Sequence, residues 1–187
     1  FKSAIEYLAS KNLFNIRMGR IHLKEINFSQ KNIYDYSFGN IKSDFMDMFI
    51  FSRCSFLITT CHGINALATF FRKKSLIINF EGLDKLHYYK EDFTPFILPK
   101  KYKNLENNKY VHFKEVYEKK LFNKPYNELN NNGYDLIDNS EEEILDATKE
   151  MYMLLNNEST IDQNTQKNFW EMHESFFKWK PKLITIS

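Results

Sequence analysis

At 187 residues and 43% hydrophobic content, the chain is long enough for one domain with a sizeable core. Its 26 basic and 24 acidic residues leave a net charge of +2, which gives no electrostatic ground for a nucleic-acid partner. Five glycines and four prolines are too few for a loop-rich all-β fold, and no apolar run approaches the ~18 residues of a membrane span. Eighteen Phe and 11 Tyr mean that much of the core must be ring packing. Cys54 and Cys61 match no zinc or redox spacing and read as reduced thiols of a soluble, cytoplasmic protein. The start, Phe1-Lys2-Ser3-Ala4, has no signal-peptide pattern.

The first predicted element is a helix over residues 3–11, with Ala4, Ile5 and Leu8 on one face. An α/β domain needs a strand beneath such a helix, so the chain is expected to be the later part of a longer protein. Phe14 to Met18 reads as a short strand ended by Gly19, residues 20–31 as loop, and Asn32 to Tyr36 as a second strand. Ser43 is a good N-cap with Asp44 in the first turn, where a carboxylate suits the helix dipole. Phe45, Met48 and Phe49, with Met46 and Ile50 on the adjoining face, then form a broad apolar stripe on a helix ending near Cys54. Phe56 to Thr59 is a strand of the kind buried on both faces. Gly63 opens the next helix, whose Ile64, Ala66, Leu67, Ala68, Phe70 and Phe71 predict burial nearly all round.

Ser75 to Phe80 is the next strand, followed by an unassigned stretch over 81–112 with a short strand near Phe96-Ile97-Leu98. Arg72-Lys73-Lys74 and Pro99-Lys100-Lys101 read as solvated turns. Residues 113–130 suit one or two short helices, and Tyr134 to Asp138 a last strand. Ser140 and Glu143 have the spacing of a capping box, opening a helix with Ile144, Thr148, Met151 and Leu155 on one side. A final helix over about 162–178 presents Phe169, Trp170, His173, Phe176 and Phe177, with His173 as a packed core histidine. Strands alternating with helices predict a Rossmann-like parallel sheet covered on both faces. The expected division is a domain over 1–160 and a C-terminal helical extension over 161–187.

Ligands in such sheets bind at the carboxyl ends of the strands. The strand 56–59 runs into Thr60-Cys61-His62-Gly63 and then a helix. Helix N-termini offer unpaired N–H groups and partial positive charge, glycine allows close backbone approach, and Thr59, Thr60 and His62 add donors. That combination suits a pyrophosphate; the plainer reading is a routine strand–helix turn. Arg17 and Arg20 flank Gly19 on the same expected rim, where guanidinium groups can grip phosphate oxygens, unless they are a surface arginine and a structural ion pair. Ser43 is first of all a cap, while Asp44 can hold a ribose hydroxyl or the arginine pair. His62 can act as a base or donate to phosphate, but a lone histidine is more often a polar contact than a catalyst. The other histidines lack metal-ligand spacing, and Glu141-Glu142-Glu143 reads as a solvated first turn rather than a metal site.

Taken in order, Asn15-Ile16-Arg17-Met18-Gly19-Arg20, Ser43-Asp44-Phe45-Met46-Asp47, Cys54 to Thr60, His62-Gly63, Ile77-Ile78-Asn79-Phe80 and Asp138 to Ile144 resemble a bacterial family of glycosyltransferases from surface-polysaccharide and lipopolysaccharide gene neighbourhoods. The resemblance covers about residues 4–156. It implies a GT-B type enzyme, in which two Rossmann-like domains face a cleft, and makes this chain the C-terminal, donor-binding half. The implied ligands are a nucleotide-sugar donor and a glycan or glycolipid acceptor, with no metal cofactor. The implied donor-binding residues are Arg17, Gly19, Arg20, Ser43, Asp44, Thr59, Thr60, Cys61, His62 and Gly63. Cys61-His62 departs from the small or polar residues expected there, and the half that often supplies the base is not in these residues. The implied place is the cytoplasm, with peripheral contact at the inner face of the membrane. The aromatic tail would pack on an N-terminal domain or on a second copy. Two alternatives stand beside transfer: a non-catalytic or partner-dependent nucleotide-sugar-binding module, and a sugar-nucleotide epimerase of GT-B fold.

Overall fold

The computed structural model describes residues 1–19, 25, 28–60, 63, 65–89, 95–158 and 162–177. Its parallel strands fall into two groups. β1 (Asn15–Arg17) pairs with β2 (Ile33–Asp35), bringing Arg17 level with Asp35. β3 (Phe56–Thr59), β4 (Lys74–Phe80) and β5 (Phe96–Pro99) form a second parallel sheet with β4 in the centre. The stretch left unassigned from sequence contains β6 (Lys101–Asn104) and β7 (Lys109–Tyr110), an antiparallel pair. β8 (Tyr134–Ile137) joins the other side of β6, also antiparallel. The last strand therefore does not extend the parallel sheet, as the alternation of elements predicts, but closes a separate three-stranded one. The architecture is mixed α/β, with parallel sheets flanked by helices, and is compatible with a Rossmann-like fold.

The central strand explains where the core sits. Leu76 and Ile78 of β4 point to one side, where they meet Ala4 of α1 (Lys2–Ser10) and Ile144 and Met151 of α6 (Glu141–Leu155). Ile77 points to the other side and joins a larger, aromatic core. There it meets Tyr102 of β6, Val116 and Tyr117 of α4 (Phe113–Glu118), and Leu129 of α5 (Tyr126–Asn131). Strict alternation would send Phe80 to the α1–α6 side, yet it lies with Ile77 in the aromatic core. The cause is a bulge. Ile77 pairs with Ile97 but Phe80 with Pro99, so one extra residue is accommodated in β4. Asn79 supplies it with φ of 51°, a left-handed conformation that asparagine tolerates better than most residues.

The helices follow their caps more closely than their apolar stripes. In α2 (Asp44–Arg53) the Ser43 side chain accepts from Met46 N, as expected. The stripe of Phe45, Met48 and Phe49, however, faces solvent, Phe45 at 75% exposure. The buried residue is Phe51, on a face shared with Asp47 and Ile50. α3 is also shorter and less buried than its composition predicts: it runs Asn65–Phe70, with Ala68 buried and Phe70 72% exposed. Ile64 lies outside the described residues. In α6 the capping box is complete, and Ile144, Thr148 and Met151 form its buried side. α7 (Gln163–Phe176) packs on α4 through an aromatic cluster. His173 sits at the centre of that cluster, 1% exposed and 2.8 Å from the Tyr117 hydroxyl through Nδ1. Burial, reinforced by Tyr102 and Asp84, pushes the Tyr117 phenol well above its ordinary value. It therefore stays protonated and can donate to the imidazole.

Candidate functional site at the carboxyl edge of the parallel strands

Beyond the carboxyl end of β1 and β2, four interactions draw the expected residues together. Arg17 Nη1 donates to Asp35 Oδ2 at 2.6 Å, and the two side chains are only 17% and 7% exposed. The guanidinium also lies 5.9 Å from the centre of the Phe38 ring. Gly19 has φ of 146°, a conformation that favours glycine, and its carbonyl accepts from Lys42 Nζ at 2.7 Å. Ser43 is held twice, as the α2 cap and by Tyr36, whose hydroxyl accepts from Ser43 N at 3.1 Å and lies 3.3 Å from Ser43 O. Burial raises the Tyr36 pKa; the bond to Ser43 offsets part of that, and the Asp47 and Asp44 carboxylates add to it. Asp44 itself is an exposed first-turn residue of α2.

β3 belongs to the other parallel sheet, and its carboxyl end leads into the second group of expected residues. Thr59 Oγ1 donates to Thr60 O at 3.0 Å, which shapes the start of the turn. Gly63 is exposed, and a Cβ built on it would meet nothing within 4 Å among the described residues. Its φ is outside the range that requires glycine. Among the described residues, nothing makes a steric or conformational demand for glycine at this position. Arg20, Cys61 and His62 lie outside the described residues. Cys54 is a half-buried free thiol whose pKa is pushed up by burial.

The end of β4 and β5 carries a third part that sequence reasoning did not find. Asn79 and Asn139 clasp each other: Asn79 N donates to Asn139 Oδ1 at 2.7 Å and Asn139 N to Asn79 Oδ1 at 2.6 Å. Asn139 Nδ2 also donates to Pro99 O at 2.9 Å, so one buried side chain ties the start of α6 to both strands. Lys100 bridges Glu81 at 2.5 Å and Asp138 at 2.9 Å, with its side chain only 19% exposed. Burial pulls its ammonium pKa down, but the two carboxylates outweigh that and leave it raised. Lys101 pairs with Glu143 at 2.7 Å. Pro99-Lys100-Lys101 is therefore a strand junction with engaged lysines, not the solvated turn its composition suggests. Next to it lies an open cavity of about 410 Å³, lined by residues that include Glu81, Lys100, Tyr102, Phe122, Lys124 and Tyr126. The legible signal was Glu81-Gly82 immediately after a buried strand, the position where open α/β sheets place ligands.

Among the described residues, no group of three or more His, Cys, Asp or Glu side chains is placed to hold a metal, and no helix is long and apolar enough to cross a membrane. No family model, curated protein or solved structure matches the chain.

Proposed function

We propose that this chain is the donor-binding half of a GT-B type glycosyltransferase, with a Rossmann-like core that holds the diphosphate of a nucleotide-sugar at residues 59–63. The observation that carries the reading is Gly63. It follows the carboxyl end of β3, where none of the described residues requires a glycine or fills the space that a side chain would take. A ligand approaching the backbone supplies the need. The ordered motifs from Arg17 to Asn79 add the family resemblance. In this reading backbone N–H groups and hydroxyls of the turn meet the phosphate oxygens, His62 donates to them, and Arg20 adds charge. Asp35 holds one edge of the Arg17 guanidinium and orients its fork of donors. In this reading Gly19, Ser43 and Asp44 form the rest of the site, with Asp44 as the partner of a ribose hydroxyl. The acceptor is a surface glycan or glycolipid met at the inner face of the cytoplasmic membrane. The base that deprotonates it comes from the other half of the enzyme, and the phosphate charge needs no metal.

Calorimetric titration with GDP, UDP and their sugar conjugates tests the reading. Binding of one nucleotide by the wild type, lost in Gly63→Val with an unchanged melting temperature, is the expected result. No binding by any of them contradicts it. A second reading, a nucleotide-sugar-binding module without catalysis, is favoured by the ion pair that engages Arg17. Binding without transfer once the partner domain and acceptor are supplied would select it, and epimerised donor would select the epimerase instead.

A further inference from the structure

We infer that the cavity beyond β4 and β5 is a separate binding site for a neutral sugar ring. Its volume of about 410 Å³ is within the range of small-molecule sites. The charges on its wall are already matched: Lys100 lies between Glu81 and Asp138, and Lys124 pairs with Glu128. Each of the two ammonium groups already has a carboxylate partner, and the three carboxylates outnumber them, so a free phosphate would find no net positive charge there. A ligand rich in hydroxyls finds both partners it needs, since carboxylates accept and ammonium groups donate. Their mutual pairing also fixes these groups in place before the ligand arrives.

The lining also has an aromatic part. Phe122 and Tyr126 offer aromatic surface to the C–H face of a pyranose. Tyr126 is 56% exposed, and its hydroxyl donates to Asp135 Oδ1 at 3.1 Å, which steadies the ring at the rim. Tyr102 is only 3% exposed, and it lines the cavity. Burial, with Glu81 and Asp84 nearby, keeps the phenol protonated, so it offers a donor to a sugar hydroxyl. This site stands whether or not the 59–63 turn binds a nucleotide.

The test is saturation-transfer NMR on the full chain with methyl glycosides of glucose, galactose, mannose and N-acetylglucosamine, beside uridine and guanosine. At least one glycoside is expected to bind in the millimolar range. Tyr126→Ala should weaken it about fivefold and Tyr102→Phe, which removes only the hydroxyl, about threefold. Both variants should keep the wild-type melting temperature to within a few degrees. The inference is overturned if no glycoside binds, if neither variant changes the affinity, or if the nucleosides alone bind with sensitivity to these two tyrosines. Nucleotide titration of Gly63→Val reads the other site and leaves this result unaffected.

Discussion

Arg17 shows how a residue expected to bind a ligand is first of all held by its own fold. Its 2.6 Å bond to Asp35 is largely shielded from water, so removing either partner strips a charge of its neighbour. Arg17→Ala should cost about 2 kcal/mol in denaturant unfolding, Asp35→Ala a similar amount, and the double variant less than their sum. Additive losses would show that the pair is not coupled. Asn79 makes a sharper case, because two separate demands meet in one side chain. Its φ of 51° is costly for most residues, and its amide completes the clasp with Asn139. Asn79→Ala should cost about 2 kcal/mol, while Asn79→Gly, which keeps the backbone comfortable and loses only the side-chain bond, costs less. Equal losses would mean that the backbone conformation contributes nothing. A structural ion pair was one of the readings open for Arg17, but its partner, 18 positions away, was not legible, and the Asn79 clasp, with a partner 60 positions away, had no local signal.

Among the elements, the caps were legible, and so were the buried faces of α1 and α6, but not that of α2. Ser43 and the Ser140–Glu143 box are local codes, settled within four residues, and both are present as their spacing predicts. Which side of α2 is buried depends on neighbours that no local pattern contains. The three- and four-residue spacing of Phe45, Met48 and Phe49 selects a stripe, but the structure buries Phe51 instead. Phe45→Ser should therefore change stability by no more than about 0.5 kcal/mol, whereas Phe51→Ala should cost about 3 kcal/mol. A large loss from Phe45→Ser would place that ring in a core. β6 and β7 escaped notice for a related reason. Lys101–Asn104 is a polar, lysine-rich segment whose single buried side chain, Tyr102, gives too short a signal to mark a strand.

At the scale of the whole molecule, the N-terminus of α6 is a joint. Ser3 N donates to Glu141 Oε1 at 3.0 Å, Lys101 reaches Glu143 at 2.7 Å, and Asn139 holds β4 and β5. α1, β6 and the parallel sheet thus meet at one turn of helix. The backbone N–H of Ser3 holds the Glu141 carboxyl below its ordinary 4.5, and the bond from Lys101 does the same for Glu143. A depressed folded value means that the unfolded chain takes up protons first as the pH falls. The stability from these two groups is complete above the ordinary glutamate value and is lost as the pH drops through the folded values. Denaturant midpoints should be flat from neutral pH down to that range and fall below it, and Glu143→Gln should flatten part of the fall. An unchanged acid limb in Glu143→Gln would remove the pair from the account. β3, β4 and the short strand β5 were legible because each contains a run of apolar residues. The split into two parallel sheets and an antiparallel one was not, because strand pairing is a non-local choice. The same holds for the carboxyl edge: Thr59, Thr60 and Gly63 stood out as a motif, whereas the cavity is assembled from segments up to 55 positions apart, Glu81 to Leu136.

The measurement that bears most directly on the proposed donor site is an amide chemical-shift map of the chain titrated with GDP and with UDP. Saturable shifts that centre on Thr59, Thr60 and Gly63 for one nucleotide, and that disappear in Gly63→Val, are the predicted result. No saturable shifts, or shifts centred away from the end of β3, would contradict a nucleotide-diphosphate site at that turn.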